Sequence, residues 1–123
     1  MAAEAKKMAE RFQLITHKGA SVVVLDLSNL KDEKEIIGFL RMRNGMQTPH
    51  CLLVDLTSTH FTESTVKEAK ESTMAMQAVI KGFAMVSTNS SASMLAGVVG
   101  GFSGMSIATY GTRQEAMDWL AEQ

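Results

Sequence analysis

Three runs, "SVVVLDLS", "CLLVDL" and "FAMVST", carry apolar or β-branched residues at consecutive positions rather than at every second one. A strand with one wet face alternates; a continuous run belongs to a strand covered on both faces, the mark of a parallel sheet packed with helices. The segments between the runs change to a helical period. In "NLKDEKEIIGFLRMRNG", Ile36, Ile37, Phe39 and Leu40 form a stripe, Asp32 and Glu35 are start signals, and Asn44-Gly45 is a stop. From Thr62 onward, Val66, Ala69, Thr73, Met76 and Ile80 share one face, and Gly82 reads as the helix end. "NSSASMLAGVVGGF" reads as a helix capped by Ser90 or Ser91, turning Leu95, Val98, Val99 and Phe102 inward.

The ends complete the pattern. "RFQLIT" precedes the first run across "HKGA", a short Gly-containing turn that predicts a hairpin and an antiparallel edge. "MSIATYG" is a last strand. "TRQEAMDWLAEQ" is a helix with Thr112 and Glu115 as a capping box and Trp119, beside Ala116 and Leu120, as its docking anchor. The expected fold is α/β, one domain over residues 1–123, with residues 1–10 as an N-terminal extension. Its order is β-β-α-β-α-β-α-β-α, a mixed, mainly parallel sheet with helices packed on it.

Charge and composition exclude several classes. Twelve Lys and Arg face thirteen Asp and Glu, and the basic residues are scattered, so no nucleic-acid footprint exists. Cys51, the single cysteine, rules out an intrachain disulfide and reads as a small buried hydrophobe. "MAAEAKKMAERF" lacks a signal-peptide core, and "SMLAGVVGGFSGMSIA" is too interrupted by Gly and Ser for a membrane span. The expectation is a cytoplasmic protein.

No catalytic constellation is legible. His17, His50 and His60 fall in predicted turns without metal-ligand spacing, and "GVVGGFSG" lies late in a helix, where it signals close packing and a C-cap rather than a phosphate loop. No cofactor or metal is expected. Asp26 and Asp55 end apolar strands, where ligands gather in open α/β sheets; an acid/base role for them or for His60 requires their convergence in a cleft. Met74, Met76, Met94 and Met105 can fill core gaps or line an apolar pocket, which raises the alternative of a carrier or sensor of a small lipid-like ligand.

"LLVDLTSTHFTESTV" resembles the central segment of STAS domains, the fold of the anti-sigma factor antagonists, and "SIATYGTRQEAMDWLAEQ" resembles the closing strand and helix of the SpoIIAA-like group. The family segment reads apolar strand, Asp-Leu-Ser-Gly, then Asp-Ser-Ser-Gly opening a helix. Here Asp-Leu falls on Asp55-Leu56, and Asp-Ser-Ser-Gly on Glu63-Ser64-Thr65-Val66. The resemblance implies a non-enzymatic regulatory module that binds a protein partner, or itself as a homodimer, through Thr62, Glu63 and Val66. It implies a phosphoacceptor at Thr65, with Ser64 beside it, where a helix N-terminus favours phosphate. Glu63 for Asp and Val66 for Gly depart from the pattern. Thr65 with Glu68 also reads as a capping box.

Overall fold

The computed structural model of the chain describes residues 10–42, 46–88 and 91–123. The order is β1 (Phe12–His17), β2 (Ala20–Asp26), α1 (Glu33–Met42), β3 (His50–Asp55), α2 (Glu63–Met76), β4 (Ile80–Val86), α3 (Ser91–Ser103), β5 (Ile107–Tyr110) and α4 (Arg113–Leu120). This is the succession expected from the sequence. Asn44-Gly45 and Ser90, the expected helix stop and cap, lie outside the described residues.

The five strands lie in the order in which they are made, β1-β2-β3-β4-β5. β1 pairs antiparallel with β2 across a Lys18-Gly19 turn in which both residues have positive φ, and the remaining pairs are parallel. Right-handed crossovers between sequential parallel strands place every crossover helix on the same side. The packing follows. Val23, Leu25, Leu52, Val54, Phe83 and Met85 face α1, α2 and α3, which contribute Ile36, Phe39, Ala69, Met76, Leu95 and Val99. The alternate positions Val22, Val24, Cys51, Leu53, Ala84 and Val86 meet α4 through Ala116 and Leu120. The continuous apolar runs are thus explained: both pleats are dry, one under three helices and one under α4.

α4 is tied down at its edges as well. Thr112 caps it by accepting the Glu115 N–H, while the Glu115 carboxylate accepts the Thr112 hydroxyl rather than a backbone N–H. Trp119 packs at the rim against Tyr110, ring centres 6.3 Å apart. His17 at the end of β1 shares Asp118 with Lys18, and those contacts pull the Asp118 carboxyl well below its ordinary range. Cys51 is buried as expected; burial raises its thiol, which points to the Leu120 carbonyl.

Four expectations are corrected. Ile80 and Gly82 belong to β4, not to α2; the helix ends at Met76 and a short turn through Val79 leads into the strand. Val98 and Phe102 are 46% and 53% exposed, because the inward stripe of α3 runs Leu95, Ala96 and Val99 and the sheet receives no wider face. The four methionines line no common pocket: Met74 and Met94 point outward, Met76 and Met105 pack in the core, and the void beside Leu27, Leu40, Val54 and Phe83 holds about 10 Å³, room for one water at most. His50 is not in a turn. It opens β3, buried, with Nδ1 2.8 Å from the Thr48 carbonyl and Nε2 without a hydrogen-bond partner among the described residues.

The glycines of α3 divide by role. A Cβ on Gly100 would sit 2.7 Å from the Met105 carbonyl oxygen, so that position admits only glycine where the chain folds back to β5. Gly104, at φ +75°, closes the helix with its N–H on the Gly100 carbonyl.

Candidate functional site at the carboxyl ends of the strands

β2 and β3 end in the same way, and their closing stretches "VLDLS" and "LVDLT" are alike in sequence as well. Asp26 accepts the Ser28 N–H at 2.9 Å and Asp55 accepts the Thr57 N–H at 3.0 Å. Leu27 and Leu56 then plug the core, and Asn29 and Ser58 turn left-handed at φ 62° and 56°. Hydrogen bonds stitch the two loops together: Leu27 N–H to the Asp55 carbonyl, Asn29 N–H to that of Thr57, and His60 N–H to that of Leu30. The Thr59 hydroxyl donates to the Leu27 carbonyl and Lys31 Nζ to the Ser58 carbonyl, both at 2.6 Å. The result is one firm platform rather than two independent loops.

Ser58 occupies the position of the glycine in Asp-Leu-Ser-Gly, and its backbone has the conformation glycine enters freely. Ser58→Gly removes a left-handed penalty of about 1 kcal/mol against a smaller entropic loss in the unfolded chain, for a net gain of about 0.5 kcal/mol. A higher urea midpoint with an unchanged slope is the expected result; a lower midpoint would mean that the Ser58 side chain itself stabilises the platform.

Asp26 and Asp55, partners in adjacent register, do converge on the α4 side of the sheet. Arg113, the first residue of α4, lies between them, with Nε 2.8 Å from Asp55 Oδ2 and Nη2 3.1 Å from Asp26 Oδ2. Arg11 adds a second cation, donating from Nη1 to the carbonyls of Asp26 and Ser28 at 3.0 Å. Burial by itself would raise the Asp26 carboxyl, but the Ser28 hydroxyl and N–H, together with Arg113, outweigh it and hold Asp26 below its ordinary value. Burial likewise disfavours the Arg113 cation, and the two carboxylates more than reverse this. An Asp26 held ionised, with its oxygens already engaged, is a structural acceptor rather than a proton donor. His60 stands exposed in the loop after β3, without a side-chain contact to either carboxylate among the described residues.

On the other side of the platform lies the stretch that resembles the phosphoacceptor segment. The true cap of α2 is Thr62, whose hydroxyl accepts the Thr65 N–H while the Thr65 hydroxyl accepts the Thr62 N–H at 2.7 Å and donates to the Thr62 carbonyl at 2.9 Å. Thr62 also donates to the Glu33 carboxylate, joining the N-termini of α1 and α2. The expected box of Thr65 with Glu68 is replaced by this one, because Glu68 turns instead to Arg41 on α1, at 2.5 Å. Thr65 is 0% exposed, Glu63 and Ser64 are exposed, and Val66 is half-buried against the core. Arg113, Arg11 and Glu33 are the members of this region that the sequence reading missed. Arg113 did leave a signal: a cation in the first turn of a helix opposes the macrodipole, so it needs a carboxylate partner.

No family model matches the chain, and no curated protein does. Among solved structures, an anti-sigma-factor antagonist (STAS) domain protein from Planctomyces limnophilus superposes with a TM-score of 0.60. The likeness covers 89% of this chain and 96% of that one, at 15% identity. This chain has the STAS-domain fold. An identity this low carries the fold alone. Within it, the Asp26–Arg113–Asp55 bridge fastens α4 to the strand ends, and the Thr62–Glu33 joint fastens the two helix N-termini beside it. Among the described residues no cluster of three or more His, Cys, Asp or Glu is arranged to hold a metal ion, and no helix is long and apolar enough to cross a membrane.

Proposed function

We propose that the protein is a non-enzymatic regulatory module that binds a protein partner over the first turn of α2, with Glu63, Ser64 and Val66 in the contact. The observation that carries this reading is the exposed turn Glu63-Ser64 mounted on a hydrogen-bonded platform within a STAS fold. Sequential strand order adds support. Cofactor crevices in open α/β sheets form where strand order reverses, and β2 to β5 have no such point, which favours a surface over a pocket. The solved neighbour is described as an anti-sigma-factor antagonist domain protein, and a partner of that regulatory kind is the natural expectation here.

Of the two hydroxyls, Ser64 is the one a kinase can reach, while Thr65 is committed to the cap. A phosphate on Ser64 would lie beside the free N–H groups of the helix start, where the dipole favours it, and would change the charge of the contact without unfolding it. Tagged protein is to be incubated with lysate of its own cells, as wild type, Ser64→Glu and Val66→Arg. A protein retained by wild type and lost at least tenfold from both variants supports the reading. Captured proteins that are identical for all three overturn it.

A further inference from the structure

α3 presents an apolar ridge to solvent. Met94, Val98 and Phe102, four residues apart, are 72%, 46% and 53% exposed. Beside the ridge runs a furrow of Ser93, Gly97 and Gly101, also exposed and also at four-residue spacing. Gly97 and Gly101 have ordinary helical backbone, and a Cβ at either would meet nothing within 4 Å. Each therefore costs about 1 kcal/mol of helix stability relative to alanine with no compensating contact among the described residues, unlike Gly100. A missing Cβ that the fold does not need is of use to something that approaches the helix from outside.

We propose that this face is the contact between two copies of the chain. It is complementary to itself. With a two-fold axis across α3 near Val98, the ridge of one copy lies in the furrow of the other, and Met94 of one meets the partner's Phe102. Ridges of four-residue spacing interlock in this way in the commonest class of helix packing. Charge favours the same occupant: a two-fold contact sets residues near the axis against their own kind, and α3 carries no charged residue along its 13 positions. Lys70 stands at the rim, its Nζ 5.4 Å from the centre of the Phe102 ring, as a polar border to an apolar centre. The ridge offers roughly 350 Å² of apolar side chain per copy, so that with the furrow and rim a pair buries on the order of 1,000 Å², the lower limit for a specific interface. The dimer is accordingly weak and reversible. It uses a different helix from the partner-binding turn and does not rest on that reading.

Sedimentation of the full chain from about 5 µM to about 1 mM tests the proposal. Wild type is expected to pass from one to two copies within that range. Val98→Glu and Gly101→Leu are each expected to raise the dissociation constant at least tenfold, although Gly101→Leu strengthens the isolated helix. Gly38→Ala, an equally open helical glycine on α1, is expected to leave it unchanged. Circular dichroism melting shows that each variant is folded. A wild type that remains monomeric at the highest concentration overturns the proposal, as does a dimer indifferent to Val98→Glu. A monomer that binds phosphatidylcholine vesicles and loses them on Val98→Glu overturns it too, since the ridge would then serve a bilayer.

Discussion

Arg113→Ala is expected to destabilise the protein by about 2–3 kcal/mol at neutral pH, less than the full penalty for breaking a buried pair because the arginine is partly solvated. The substitution leaves Asp26 and Asp55 side by side at the ends of neighbouring strands, with only their own turns to solvate them. The pH dependence identifies the cause. In wild type, Asp26 has a lowered pKa in the folded state, so its contribution is complete above the unfolded value of about 3.9 and is lost as pH falls through the folded one. Without Arg113 the two neighbouring carboxylates repel each other, and protonation of one then relieves the folded state. Urea denaturation at several pH values should therefore show the gap between variant and wild type shrinking as pH falls from neutrality towards 4. Asp55→Asn in the Arg113→Ala background should recover part of the loss at neutral pH. A gap that is the same throughout would mean that Arg113 acts by packing alone.

The second large effect separates adjacent hydroxyls. Thr65→Glu places a carboxylate at a fully buried position and removes the hydroxyl that accepts the Thr62 N–H and donates to the Thr62 carbonyl; the Thr65 N–H bond to the Thr62 hydroxyl is untouched. A loss of about 3 kcal/mol is expected, from a longer, charged side chain forced into a site with no exposure. Ser64→Glu, one residue earlier and exposed, should change stability by no more than about 0.5 kcal/mol, in the favourable direction, because an anion in the first turn suits the helix dipole. Thermal melts of the two variants decide the matter. Equal melting temperatures would show that the cap around Thr65 contributes little, and would return Thr65 to the reading in which it, rather than Ser64, receives phosphate.

The architecture was legible because its causes are local. Dry strands, helical stripes and the Thr112 cap each lie within a dozen residues, and the approach of Asp26 to Asp55 followed from both ending apolar runs. What escaped depends on partners remote in the chain. Thr62, Ser64 and Thr65 can each cap a helix, and Glu68 favours Thr65 on spacing alone; the choice falls to Thr62 because Arg41 engages Glu68 and Glu33 engages Thr62. Val98 and Phe102 are as apolar as the residues that do face inward, yet the sheet receives only the Leu95–Val99 side of α3. The helix end after Met76 was misplaced because Ile80 fits the helical stripe as well as it fits the strand.

Among the described residues α4 alone covers the second face of the sheet, and this has a consequence for synthesis. While the chain emerges from the ribosome, β2, β3 and β4 can assemble with α1, α2 and α3 as each appears, since every strand pairs with its predecessor. Val22, Val24, Leu53 and Val86 nevertheless wait for α4, the helix that covers them among the described residues. During that interval the nascent molecule is a sheet with one adhesive side, and this is when a chaperone has something to hold. The Arg113 bridge, which fastens α4 at its first residue, ends the exposure as soon as that helix begins to dock.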